Sequence, residues 1–328
     1  MNVTKKPYLK PLLTFEQQAQ LLVSRGMGGD IATIAKKLQI ANYYRLSGYF
    51  YFFRQHQGAS SHLGEQFQAG THFDRIWDLY TFDSCLRCLI FEAIERIEIA
   101  VRTQVSFCHA DKFGAFAYAI DPKSLPDIGM RERDDGTFVS RRIEFLQDLD
   151  KNLGRSNAPF IEHFYEKYSD PYPPIWIGSE VLTLGGVLYV FDGSPVDVRT
   201  KISAHFGLPH PVFGSWLLTL NTARNVCAHH GRFWNRAIGS PPMIPPEKRY
   251  AYWHKPVEIF PPFVKGTGIR PTTFVILSMC NHLLTEIAPG CGWAKKVKAL
   301  LDLYPNVPRR SMGIPENWTL SPVWNDID

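Results

Sequence analysis

One stretch, Asn221-Thr-Ala-Arg224-Asn225-Val-Cys-Ala-His229-His230-Gly231-Arg232-Phe-Trp-Asn235-Arg236, carries three arginines and two histidines and no carboxylate. Arginine is permanently charged, and its planar fork of donors suits phosphate oxygens. Histidine gives or takes a proton near neutrality. The two suffice for one reaction without metal or cofactor, the attack of an RNA 2′-hydroxyl on its own phosphate. There the imidazole moves the proton, and the guanidinium stabilises charge building on the phosphoryl oxygens. Arg224 and His229 are the candidate pair, with Asn225 placed to orient the imidazole four residues on. Helical residues five apart differ by about 140° around the axis, so the two do not share a face of a regular helix. Either Gly231, read as the C′ residue, leaves His229 in a frayed last turn, or a twofold copy brings a second helix alongside. Arg-x(4–6)-His spacing is a weak signal by itself. Arg102…His109, Arg199…His205 and Arg249…His254 are comparable pairs; the first lies on a long helix and is the main rival. A capped core helix with a buried arginine and a surface histidine explains the same residues without function.

Other chemistries find no support. No Walker lysine loop, dinucleotide glycine fingerprint, His-Asp dipeptide or nucleophile elbow is present. Adjacent His229 and His230 diverge by about 100° on a helix and do not chelate one metal as an i,i+4 pair does. Cys85 and Cys88 form a lone C-x-x-C without a second pair at zinc spacing, and read as half-buried thiols of a helix. The scattered cysteines imply no disulfide framework and a reducing cytoplasm. No signal peptide is evident, and the longest apolar run, Val181 to Phe191, is too short to span a bilayer. A net charge of +5 is compatible with RNA without proving it.

The motif needs a scaffold, and the pattern is helical nearly throughout. Thr14 caps a helix from Phe15 to about Arg25, and Asp30 caps a second through Leu38. A third segment, Asn42 to Arg54, interleaves aromatics with Arg45 and Arg54. It reads as packing more readily than as a clamp on single-stranded RNA. A polar linker over Ala59–Gly70 precedes a long helix from about Asp74 to His109, with Glu92/Arg96 and Glu98/Arg102 at ion-pair spacing. Asp121 to Phe138 reads as a loop. Helices follow over Ser140–Leu153 and Pro159–Tyr168, then one apolar helix from Ile175 to Phe191 containing Glu180, a candidate buried partner for an arginine. A helix over Val196–Phe206 leads to the motif helix, opened by Pro211. Seven prolines between Pro241 and Pro262 forbid a regular helix there and predict an extended strap, a candidate wall of the site. Helices Thr272–Ile287 and Trp293–Leu303 close the bundle. Lys295, Lys296, Lys298, Arg309 and Arg310 form a basic cluster that suits either a phosphate surface or a solvated face.

The segment Arg224-Asn-x-x-Ala-His-His-Gly-Arg-x-Trp-Asn-Arg236 resembles the signature of the bacterial abortive-infection Abi family of the AbiD/AbiF type. Asn42-Tyr-Tyr-Arg-Leu-Ser-Gly-Tyr49, Phe82-Asp83…Glu95 to Thr103, Pro174-Ile-Trp176…Glu180 to Gly185, and Met312 to Trp318 agree in family order. The resemblance implies an all-α protein: a HEPN-like helical bundle over residues 66–328 with strap and C-terminal helices, behind an N-terminal helical unit over 1–65. It implies a metal-independent RNA endonuclease toxin of phage defence or of a toxin–antitoxin system, acting as a homodimer and restrained by a non-coding RNA or protein antitoxin. By that resemblance Arg224, His229 and Asn225 are catalytic. His230, Arg102, Arg96 and Glu95 stand as further catalytic or supporting candidates, and Arg232, Arg236 and Arg45 as RNA contacts. A non-catalytic RNA-binding or partner-binding module on the same fold is the alternative.

Overall fold

The computed structural model describes residues 7, 9, 11–56, 63–126, 128–260 and 272–327, without the side chains of residues 56, 63 and 326. The chain is all-α, with two small hairpins. It divides into two compact units, one of residues 1–85 with 303–307, the other of residues 86–302 with 308–328.

In the first unit, helix α1 (Phe15–Ser24) starts at a complete capping box: Gln17 N–H donates to Thr14 Oγ1 at 3.2 Å, and Thr14 N–H to Gln17 Oε1 at 2.9 Å. Asp30 caps α2 (Ile31–Ile40) through Thr33 N–H at 2.8 Å, and Asn42 caps α3 (Tyr43–Phe50) through Arg45 N–H at 2.9 Å. Strand β1 (Arg54–His56) pairs antiparallel with β2 (Leu63–Phe67). The expected linker over Ala59–Gly70 therefore contains a strand, while residues 57–62 lie outside the described residues. Leu22, Ile34, Leu38, Leu46 and Phe50 are buried. Tyr49, also buried, donates its hydroxyl to Asp83 at 2.6 Å. The aromatics of α3 and the turn after it are thus partly core, while Tyr44, Tyr51 and Phe52 stay exposed.

Helix α4 (Phe73–Phe113) runs through both units and extends roughly 60 Å at 1.5 Å per residue. Its buried residues recur at i, i+3, i+4 spacing: Leu79, Phe82, Leu86, Ile90, Ala93, Ile94, Ile97, Val101 and Val105. Cys85 and Cys88 are exposed, not half-buried, because they fall outside that stripe.

In the second unit, α5 (Ala117–Ile120) leads to a hairpin of β3 (Met130–Glu132) and β4 (Phe138–Ser140), where a plain loop was expected. Amphipathic α6 (Arg141–Arg155) buries Phe145, Leu149 and Leu153, and α7 (Pro159–Lys167) follows. The apolar run from Ile175 to Phe191 is not one helix. It is α8 (Ile175–Gly178), a 3₁₀ turn over Ser179–Val181, and a new helix, α9 (Leu184–Gly193), capped by Thr183. Arg102 of α4 takes up the carbonyls freed at the break, its guanidinium donating to those of Ser179 and of Leu182, the latter at 3.0 Å. Glu180 points outward and is not the buried partner expected; Glu98 pairs with Arg102 at 2.8 Å.

Helices α10 (Val196–Ala204) and α11 (His210–Ala228) come next, and α11 packs on α9, α10 and α12 (Thr273–Ile287). Residues Thr273 to Leu284 of α12 are buried all round, which makes it the central helix. Its own buried His282 packs edge-on against Trp216 and Trp253. Helix α13 (Trp293–Leu303) anchors through Trp293 Nε1, which donates to Leu89 O at 2.8 Å. The described part of the proline-rich segment, 241–260, holds no helix beyond a 3₁₀ turn at Ala251–Trp253. It lies along α11, where Trp216 Nε1 donates to Met243 O at 2.9 Å and Met243 N–H to Ser215 Oγ at 2.8 Å. Residues 261–271 lie outside the described residues. No helix among the described residues is long and apolar enough to cross a membrane.

Candidate active site at the end of α11

Helix α11 turns an apolar face inward, with Phe213, Trp216, Leu217, Leu220, Ala223 and Cys227 buried. At helical spacing the opposite face carries Asn221, Arg224, Asn225 and Ala228, half-buried to exposed. Helical geometry holds through Ala228, so the last turn does not fray. His229 is the C-cap, its N–H donating to Asn225 O at 3.0 Å. The helix ends in a Schellman motif: His230 N–H donates to Cys227 O at 3.0 Å, and Gly231 N–H to Val226 O at 2.8 Å. The left-handed position is therefore His230, at φ 55°, and Gly231 is one residue beyond the expected C′ place. Gly231 is required there for a different reason: a Cβ would come within 3.0 Å of Val226 Cγ1 and 3.3 Å of Val226 O.

The exit from the motif is pinned from below. Thr273, the first residue of α12, donates its hydroxyl to Trp234 O at 2.8 Å, and Phe233 and Trp234 are fully buried. The backbone then turns back along α11, where Thr219 Oγ1 donates to Ser240 O at 2.8 Å. The two exposed histidines sit at the apex of this reversal. Nothing in the local sequence signals Thr273, which lies 39 residues downstream of the carbonyl it holds.

Arg224 is half-buried, donates to Asn225 Oδ1 at a long 3.4 Å, and forms no ion pair among the described residues. The imidazole of His229 is exposed and has no hydrogen bond or ion pair among the described residues. Through the C-cap the two stand about 140° apart around the axis and roughly 7.5 Å apart along it. His230 is also exposed, Arg232 half-buried and Arg236 exposed. Arg45 is exposed on α3, in the first unit.

The candidates on α4 have other attachments. Arg102 is buried and committed to Glu98 and the two carbonyls, which makes it the post that fixes the start of α9. Arg96 and Glu95 are exposed, and Arg96 pairs with Glu92 at 3.3 Å. His109, partner of Arg102 in the rival spacing, is fully buried, and desolvation pushes its imidazole pKa down to about 4. That pair makes no exposed site. The basic cluster is largely paired: Lys296 with Glu92 at 2.7 Å, Lys298 with Asp302 at 2.9 Å, and Arg310 with Glu316 at 2.7 Å, as on a solvated face. No group of three or more His, Cys, Asp or Glu side chains among the described residues is placed to hold a metal ion.

The family described as Abi-like protein matches residues 36–235, from within α2 to Asn235 of the motif. Neither a curated protein nor a solved structure matches the chain. With that match spanning most of the chain and four of the blocks singled out in the sequence, the chain belongs to the Abi-like protein family.

Proposed function

We propose that this Abi-like chain serves phage defence as a metal-independent endoribonuclease toxin of an abortive-infection or toxin–antitoxin system, its site built on the end of α11. One observation carries the reading. An arginine and an imidazole without carboxylate partners reach the surface at a rigid helix end whose exit is pinned to the core. In the reaction the 2′-oxygen of a ribose attacks its own phosphorus, a P–O2′ bond forms and the P–O5′ bond breaks. His229 takes the 2′ proton, and a protonated imidazole returns one to the departing 5′-oxygen. Arg224 donates to the phosphoryl oxygens as charge builds there. Asn225 orients its neighbours, and Arg232 and Arg236 contact flanking phosphates; Arg45, on the first unit, is an RNA contact in its own right.

The angle between Arg224 and His229 supports a site completed by a second copy of the chain, with Arg224 of one α11 facing His229 of the other. His230 satisfies the same spacing and is the proton donor or the alternative base. A structured RNA or a protein antitoxin would restrain such a site by covering the helix end.

The test compares wild type with Arg224→Ala and His229→Ala on an RNA substrate in EDTA. Both variants should keep RNA binding and lose cleavage and cellular toxicity, and wild-type products should end in 2′,3′-cyclic phosphates. Strict dependence on magnesium, or undiminished cleavage by the double variant, would refute the mechanism.

A further inference from the structure

The break in the 175–193 run creates something that a continuous helix would have lacked: a fresh amide end, opening on a cleft of about 630 Å³. The cleft lies between α6 and the start of α9. Thr183 Oγ1 accepts from Gly186 N–H at 3.2 Å, which leaves the N–H groups of Leu184 and Gly185 without intrahelical partners. Glycine at 185 and 186 keeps side chains off that end, and the first turn of a helix carries roughly half a positive charge. The walls add Arg131, Arg141 and Lys151. Glu144 and Asp148 oppose them, but Glu144 is taken up by Arg131 in an ion pair. The remaining balance, Arg141 and Lys151 against Asp148 plus the helix end, is positive.

A second observation, independent of the helix end, points to a ligand. Tyr189 lines the same cleft, is 8 % exposed, and its buried hydroxyl has no hydrogen-bond partner. Its ring is held rigidly, stacked on Phe145 at 4.4 Å with the Arg141 guanidinium 5.7 Å above it. A buried hydroxyl without a partner is destabilising, and a bound acceptor would relieve it.

The cleft also borders the candidate site. A Cβ on Gly185 would lie 3.7 Å from Asn221 Nδ2, so the start of α9 touches α11 one turn before Arg224, about 4.5 Å along the axis. We infer that this cleft is a phosphate-binding subsite which holds the backbone of a single RNA strand beside the reacting linkage; the inference rests on the nuclease reading of α11. The helix end and Arg141 receive the phosphate, Lys151 guides it in, and Arg102 is a positioning residue that keeps the helix end where it is.

The experiment uses the full chain and a fluorescein-labelled 2′-O-methyl RNA oligonucleotide, which lacks the nucleophile and so reports binding alone. Gly185→Asp places a carboxylate at the helix start, where it suits the dipole and meets only ordinary contacts at 3.6 and 3.7 Å. It should leave the melting temperature unchanged or higher and weaken binding about tenfold or more. Arg141→Gln with Lys151→Gln should lower the slope of log affinity against log salt by about 1.4, two single-strand phosphate contacts at about 0.7 each. Tyr189→Phe should cost about threefold in affinity with an unchanged fold, the scale of one hydrogen bond. An affinity within twofold of wild type in folded Gly185→Asp, or an unaltered salt slope in the Arg141/Lys151 variant, overturns the subsite. Protection by inorganic phosphate that depends on Arg141, without affinity for the oligonucleotide, overturns its assignment to an RNA strand. Cleft-dependent binding by a wild type that leaves the all-ribose strand uncut upholds the subsite and refutes the nuclease. Cleavage whose KM ignores all three variants does the reverse.

Discussion

His230 sits where a helix normally ends in glycine, and the cost can be worked out. A side chain in the left-handed region costs about 1–2 kcal/mol relative to right-handed backbone. His230→Gly removes that cost at φ 55° but adds about 0.5–1 kcal/mol of backbone entropy lost on folding. The net expectation is a gain of roughly 0.5–1 kcal/mol, or about 1–4 °C in melting temperature for a unit of this size. His230→Asn, which tolerates the same backbone, should fall between wild type and His230→Gly. His230→Val, β-branched, should lose at least about 1 kcal/mol. The assay is thermal unfolding of the full chain followed by tryptophan fluorescence, since Trp234, four residues on, is fully buried and anchored to α12. A stability order in which His230→Val matches His230→Gly would refute the argument that the backbone decides this position. Paired with cleavage assays, the series also separates two roles. If His230 carries a proton in the reaction, the stabilised glycine variant loses cleavage; if it only shapes the turn that presents His229, cleavage survives in His230→Asn.

Three further outcomes follow from the scaffold. Arg102→Ala strands Glu98 and two carbonyls in the interior and should cost about 3–5 kcal/mol by thermal unfolding, with Arg102→Lys recovering only part. His109 and His282 are buried, and desolvation pushes each down to about 4, below the unfolded value of 6.5. The unfolded chain therefore binds more protons between those pH values, and stability should be constant above pH 6.5 and fall as the pH drops towards 4, by up to roughly 3 kcal/mol for each histidine. Urea titrations across that window check this, and His109→Phe should flatten part of the slope. Gly231→Ala forces Val226 to move and should destabilise by about 1–3 kcal/mol, measured the same way, although its neighbour carries the unusual backbone angle.

The helices with local start signals are legible in the sequence. Thr14 and Asp30 cap where their side chains can reach an amide three residues on, and the α4 stripe follows from 3.6-residue periodicity. The candidate residues stand out in the sequence because their types are unusual together, and the structure places Arg224, Asn225 and His229 on or beside the exposed face of α11. Two things were hidden. Between Ile175 and Phe191 the run is mostly apolar, and the carbonyls freed at the break are taken up by an arginine 77 positions away in sequence. The register of the α11 ending was also hidden: glycine is the ordinary left-handed residue, and one is present, but the close approach to Val226 uses it a position later.

Helix α4 belongs to both compact units, and the short piece Leu303–Val307 belongs to the first although it follows nearly all of the second. Tyr304, in that piece, sets its ring against Phe82 at 5.7 Å. A chain cut at residue 85 would end in the middle of a helix and lack a packing partner supplied from more than two hundred residues later. Dissecting this chain into autonomous pieces for binding or toxicity work is thus a matter of point substitution within the intact polypeptide, because no single truncation yields a whole unit.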